Sequence, residues 1–153
     1  MAWITPKTDW TVDYDDSGNY TGDYFNVTDY NRIKNNLLHL KTLADEFIGA
    51  VPTITVGADK HLPTTTFDYA NDHFFADEIN LIENGLHTLG NLMPYVNIGS
   101  KQTFYENGRF IDADELNRIE SAELRLFNML TDSINGKMRL AIRFGLHGNN
   151  IRV

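Results

Sequence analysis

The sequence predicts an α+β chain in which three amphipathic helices each follow a hairpin or extended segment and a strand closes the C-terminus. Three observations predict it: a helical unit that occurs three times, turn-rich stretches ahead of those units, and a tail that alternates apolar and polar residues. The repeated unit reads Phe25-Asn-Val-Thr-Asp-Tyr-Asn-Arg-Ile-Lys-Asn-Asn-Leu37, Phe74-Phe-Ala-Asp-Glu-Ile-Asn-Leu-Ile-Glu-Asn-Gly-Leu86 and Ile111-Asp-Ala-Asp-Glu-Leu-Asn-Arg-Ile-Glu-Ser-Ala-Glu123. Aligned on Asn31, Asn80 and Asn117, each copy has an apolar or aromatic residue one before (Tyr30, Ile79, Leu116) and Ile two after (Ile33, Ile82, Ile119). Apolar residues return at nine (Leu40, Leu89, Leu126) and twelve (Leu43, Leu92, Met129). These spacings of three and four place the apolar side chains on one face of a helix. A helix unit used three times points to packing and assembly rather than to chemistry.

The elements follow in order. Asp16-Ser-Gly-Asn, flanked by Thr11-Val-Asp-Tyr and Tyr20-Thr-Gly-Asp-Tyr, predicts a hairpin turn. Asn26 is a good N-cap with Asp29 in the capping-box position, so the first helix spans about 26–48 and stops at Gly49 or Pro52. Val51 to Val56 and Thr64 to Tyr69 are rich in β-branched residues and predict extended chain. The second helix spans about 76–92 and ends before Pro94. Gly85 and Gly90 weaken it by ~1 kcal/mol each, and Phe75 stands where the other copies have a capping side chain. Tyr95 to Phe110 predicts a second hairpin turning at Glu106-Asn-Gly-Arg. Asp112 then caps a third helix, about 112–134, which ends before Asn135-Gly136. Met138, Leu140, Ile142, Phe144 and Leu146 alternate with Arg139, Arg143 and His147, a period-two pattern that predicts a strand over 137–153. No low-complexity linker divides the 153 residues, which form a single α+β domain with three degenerate repeats.

Composition narrows the function classes. The absence of cysteine excludes disulfides, thiolate metal sites and a cysteine nucleophile. No stretch is long or apolar enough to span a bilayer, and the N-terminus lacks a basic region leading into an apolar one, so a soluble protein made in the cytoplasm is expected. The net charge of −8 is uneven: residues 1–100 hold five Lys/Arg against fourteen Asp/Glu, whereas 137–153 hold Lys137, Arg139, Arg143 and Arg152 and no acid. An acidic chain without an aromatic-plus-basic cluster argues against nucleic acid. The basic tail instead predicts a docking strand that adds to an acidic partner.

The repeat with its lead-in, Tyr105-Glu-Asn-Gly-Arg-Phe-Ile-Asp-Ala-Asp-Glu-Leu-Asn-Arg-Ile-Glu120, resembles segments of tail, baseplate and fibre proteins of phages and prophages of Gram-positive bacteria. The opening Pro6-Lys-Thr-Asp-Trp10, with Asp23-Tyr-Phe-Asn and Asp29-Tyr-Asn-Arg-Ile-Lys-Asn-Asn36, is similar to the start of small structural proteins of such phages. The resemblance covers about a third of the chain. It implies a virion protein of the tail or baseplate that connects fibres or other tail components, forms homo-oligomers and works through protein contacts; a receptor- or carbohydrate-binding tail module and a head-decoration protein are the alternatives. Leu81 stands where the other copies have Arg32 and Arg118, and Lys34 stands where they have Glu83 and Glu120. A catalytic carboxylate does not become a lysine, so the motif is structural and no enzyme is expected.

Candidate chemistry is sparse. Asp13-Tyr-Asp-Asp-Ser-Gly18 has the early spacing of a calcium loop, but Tyr24 occupies the place of the closing carboxylate, and a plain acidic turn is the better reading. His39, His61, His73, His87 and His147 show no metal-ligand spacing. Acidic pairs such as Asp77/Glu78 and Asp114/Glu115 fall in first helical turns, where they complement the helix dipole. There is no Gly-rich phosphate loop and no Gly-x-Ser-x-Gly, and no cofactor is called for. Asn31, Asn80 and Asn117 are expected to hydrogen-bond the backbone of the preceding hairpin. The residues assigned to protein interfaces are Trp3, Trp10, Arg139, Arg143, Phe144 and Arg152.

Overall fold

A computed structural model describes residues 2–60 and 75–148, with side chains described as far as Lys137. Among the described residues there are three helices: α1 (Val27–Ile48), α2 (Ala76–Leu92) and α3 (Ala113–Gly148). Among the described residues there is no strand and no sheet, only an isolated antiparallel bridge between Tyr14 and Tyr20. The described part of the chain is therefore helical rather than α+β, with no C-terminal strand over 137–148.

Local sequence explains the helix starts. The Asn26 side chain accepts from the Thr28 and Asp29 amides, and Asp29 returns the bond to the Asn26 amide at 3.2 Å, so the capping box is complete. Asp112 accepts from the Glu115 amide at 2.9 Å. At α2, where Phe75 has no capping oxygen, Glu78 alone reaches back to the Phe75 amide at 3.0 Å. Gly49, with φ of 89°, closes α1 in the left-handed conformation.

The predicted C-terminal strand is instead the last third of α3, which runs on through Asn135-Gly136 to Gly148. A glycine inside a helix costs only ~1 kcal/mol, and Gly136 is a weak stop for a helix already nucleated over six turns. The alternation that suggested a strand also contains helical spacing, since Met138, Ile142 and Leu146 are four apart, as are Leu140 and Phe144. Strand addition through 137–153 is accordingly ruled out over the helical part. Residues 149–153, with Arg152, and residues 61–74, with His61, His73 and the extended stretch 64–69, lie outside the described residues.

The three helices pack pairwise into a triangle around one core. That core is built from the repeat: Ile33, Ile82 and Ile119 are at most 2% exposed, and Leu40, Leu89 and Leu126 are fully buried. Three extended segments, 3–10, 53–60 and 97–104 (segments 1, 2 and 3), run along the outside of this triangle. The first expected hairpin pairs its own backbone, Thr21 with Asp13 at 2.8 Å and Asp23 with Thr11 at 3.0 Å, without reaching a sheet, whereas segment 3 of the second finds its backbone partners on helix side chains. The turns themselves are present: the Gly18 amide bonds to the Asp15 carbonyl at 2.9 Å, and Gly108 to Tyr105 at 2.9 Å with Asn107 at φ 58°. Gly85 marks one close approach, where a Cβ would stand 2.7 Å from Ile54 of segment 2 and from Leu37 of α1. That packing is the reason a helix-weakening residue occurs there.

Candidate functional site: a cyclic polar clamp

Each repeat asparagine is the fifth residue of its helix and grips one extended segment through both amide atoms. Asn31 donates to the Lys60 carbonyl at 2.5 Å and accepts from its amide at 3.0 Å. Asn80 makes the same pair with Phe104, both bonds at 2.8 Å. Asn117 makes it with Trp10, at 2.9 and 2.8 Å. The expected partner was the preceding hairpin; the observed one is the segment that follows α1 and α2, while α3 takes segment 1 from the far end of the chain. The order is thus a closed ring. Segment 1 lies over the α1/α3 groove, where Asn36 of α1 also exchanges two bonds with Ile4 (3.0 and 2.7 Å). Segment 2 passes from Gly85 of α2 to Asn31 of α1. Segment 3 passes from α3, where Arg125 donates to the Asn97 carbonyl at 2.9 Å, to Asn80 of α2. The chain has internal pseudo-threefold symmetry, and the three helices run parallel.

The charged positions obey the same symmetry. Arg32, one after Asn31, donates to Glu120 through Nε (3.0 Å) and Nη2 (2.7 Å). Arg118, one after Asn117, pairs with Glu83 of α2. Both carboxylates sit three after an asparagine and are fully buried. Removing one partner of a buried pair of this kind is costly, because it leaves an uncompensated charge, whereas exposed pairs contribute little. Glu120 also accepts from the Lys7 amide (2.7 Å) and the Trp10 indole (2.9 Å), so it binds α1 and segment 1 to α3. Burial pushes the Glu83 carboxyl up despite the Arg118 guanidinium beside it.

The third interface breaks this pattern in a coordinated way. By the same register, Leu81 of α2 would face Lys34 of α1, the two positions where the repeat departs. With no arginine to neutralise, the glutamate position has become a lysine, and Lys34 (3% exposed) pairs with Asp59 of segment 2. Glu78 lacks the arginine that Asp29 and Glu115 find three residues on, and Lys60 of segment 2 supplies the charge instead at 2.9 Å. We expect Lys34→Glu to cost about 3 kcal/mol, because it leaves a buried acid beside Asp59. Adding Leu81→Arg should recover at least about 1 kcal/mol of this, read as coupling in a double-mutant cycle of urea unfolding.

Glu123 is a further departure from the repeat. It occupies the core position held by Leu37 and Leu86 in the other copies and is fully buried, with the Asn36 side chain beside its carboxyl and no cation paired to it. Burial, followed by the neighbouring Glu120, raises its pKa well above the ordinary carboxylate value. A raised folded pKa means that the folded state holds a proton that the unfolded state releases. Stability from this group is therefore full below about pH 4 and is lost as pH rises toward the folded value. Glu123→Leu should raise stability at pH 7 by about 1–3 kcal/mol and remove the part of the decline with rising pH that is due to this group. Thermal melts of both chains as pH is raised check it. Asp15, Asp23 and Asp45, held low by Asn19, Lys7 and Lys41 respectively, act only at lower pH.

The other assigned residues fall as follows. Trp10 is 5% exposed, edge-on to Phe25, and part of the core. Trp3 stacks on Phe127 of α3 with ring centres 4.1 Å apart and lies 6.0 Å from the His39 ring. Arg139, Arg143 and Phe144 belong to the extension of α3, with side chains outside the described part. The Asp13–Gly18 turn spends Asp15 on the Ser17 and Asn19 amides and the Asn19 side chain. Among the described residues no group of acidic or histidine side chains is arranged to hold a metal ion, and no helix is long and apolar enough to cross a membrane. Large aromatics outside the assigned set are displayed instead. Tyr24 and Phe110, each two residues before a helix cap, are 71% and 92% exposed.

No protein-family model, curated protein or solved structure matches this chain.

Proposed function

We propose that the chain is a virion structural protein of a phage, a tail or baseplate adaptor that joins fibres or other tail components. The observation that carries this reading is the clamp: the residues that recur with the motif all serve to lock helices and segments into one scaffold. On that scaffold, Tyr24 and Phe110 project at equivalent places beside parallel helix starts. Exposed aromatics on a fixed frame are suited to docking on protein partners, including further copies of the chain. The resemblance of the repeat to phage tail proteins agrees with it. Gold-labelled antibodies on particles of the source phage test the reading. Label at the tail end supports it; label on the head leaves a decoration protein, and absence from denatured particles by blotting refutes it.

One observation favours a receptor- or carbohydrate-binding module. Tyr14, Tyr20 and Tyr24 form an edge-to-face row, with centres 5.4 and 5.0 Å apart, on the exposed hairpin. Glycan binding abolished by Tyr24→Ala, with the fold intact, would favour that module over the adaptor. Trp10 is unsuitable for this test because it is core.

A further inference from the structure

Segment 1 is held to the α1/α3 groove by three side chains, Asn36, Asn117 and Glu120, and by the stacking of Trp3 on Phe127. Glu123 is fully buried beside Asn36, the side chain that grips Ile4, and its carboxyl has no cation paired to it. The groups that bear on its carboxyl are Glu120 on its own helix and Asn36 and Arg32 on α1. Two of these, Asn36 and Glu120, are side chains that grip segment 1, and Arg32 is bound to Glu120. At the equivalent position the other two helices carry leucines, so of the three grooves this one has an ionisable floor.

We propose that segment 1 is latched by the proton on Glu123: the arm lies in the groove while the carboxyl is neutral and leaves it when the carboxyl ionises. When hydroxide removes the proton as water, a carboxylate remains with Glu120 as a like-charged neighbour and with Arg32 already committed to Glu120 and Asp29. A buried ion without a partner draws in water or forces the structure to open. The cheapest opening is the detachment of segment 1, since it exposes Glu123 through the Asn36 contact while the three-helix core stays closed. Lys7 and Asp9 of the segment pair outward, with each other and with Asp23, and offer no charge to the carboxylate. The inference stands apart from the adaptor reading, because it concerns an intramolecular contact whatever the protein joins.

The chain's two tryptophans, Trp3 and Trp10, are both on segment 1, so their fluorescence reports the arm directly. The experiment is a titration of the full chain from about pH 5 to 9, below tyrosine ionisation, with emission and far-UV circular dichroism recorded together. The expected result is a red shift of emission with rising pH at constant helix content, absent in both Glu123→Gln and Glu123→Leu. Three outcomes overturn the proposal: the same shift in all three chains, no shift in the parent chain, or a shift that coincides with loss of helix. Glu123→Gln preserves the neutral shape, so the result does not depend on how the leucine variant packs.

Discussion

Replacing Glu120 by alanine should destabilise the protein by about 3–5 kcal/mol, the cost of breaking a buried ion pair by removing one partner. Glu120 is fully buried and accepts four hydrogen bonds from three sources: two from the Arg32 guanidinium, one from the Lys7 amide and one from the Trp10 indole. Its loss leaves a largely buried guanidinium facing a cavity and two N–H groups without acceptors. Glu120→Gln keeps one acceptor and loses the charge, so its effect should be smaller. Urea unfolding monitored by circular dichroism checks the order, which should appear as a shift of midpoint at unchanged slope. A cost below about 1 kcal/mol for Glu120→Ala would show that the ion pair does not hold α1 to α3.

Asn117→Ala should cost about 2–4 kcal/mol. The side chain satisfies both the amide and the carbonyl of Trp10, and each buried backbone group left unpaired costs about 1–3 kcal/mol. The loss differs from that of a core truncation because it is local. Segment 1 should loosen first, giving a red-shifted tryptophan emission before the helices melt, whereas Leu126→Ala should cost about 2–5 kcal/mol in a single concerted transition. Asn31→Ala and Asn80→Ala should leave the tryptophans unaffected, because their segments carry none.

Much of this architecture is legible in the sequence because it is local. The start at Asn26, the stop at Gly49 and the apolar stripe from Tyr30 to Leu43 depend on residues within a few positions of one another, and the structure reproduces them. The stop expected at Asn135-Gly136 is absent because a glycine in a long helix is only a modest penalty, and the tail's alternation is compatible with both periods. The strands are absent for a different reason. An extended segment needs a partner for its backbone, and here that partner is an asparagine on a distant helix, 107 residues away for Trp10. Asparagine in a repeat announces a hydrogen bond without naming its recipient.

Two further signals lie in the sequence and gain their meaning from the packing. The aligned copies end in Leu37, Leu86 and Glu123, an alignment that by itself places an acid at a core position. Leu81 and Lys34 depart from the repeat, and taken alone they argue only against catalysis; the register of the ion pairs Arg32–Glu120 and Arg118–Glu83, carried to the third interface, sets them opposite each other. Trp10, assigned to an interface by its residue type, is occupied by Asn117 and Glu120 inside the chain.

The central claim is that the recurring asparagines close the scaffold by gripping segment backbones. Amide hydrogen exchange at Trp10, Lys60 and Phe104 tests it most directly, in the parent chain and in Asn117→Ala, Asn31→Ala and Asn80→Ala. The account predicts protection of all three amides near that of the helix interiors, with each substitution releasing its own partner amide well ahead of the other two. Exchange of these amides at loop rates in the parent chain, or equal release of all three by any one substitution, would contradict it.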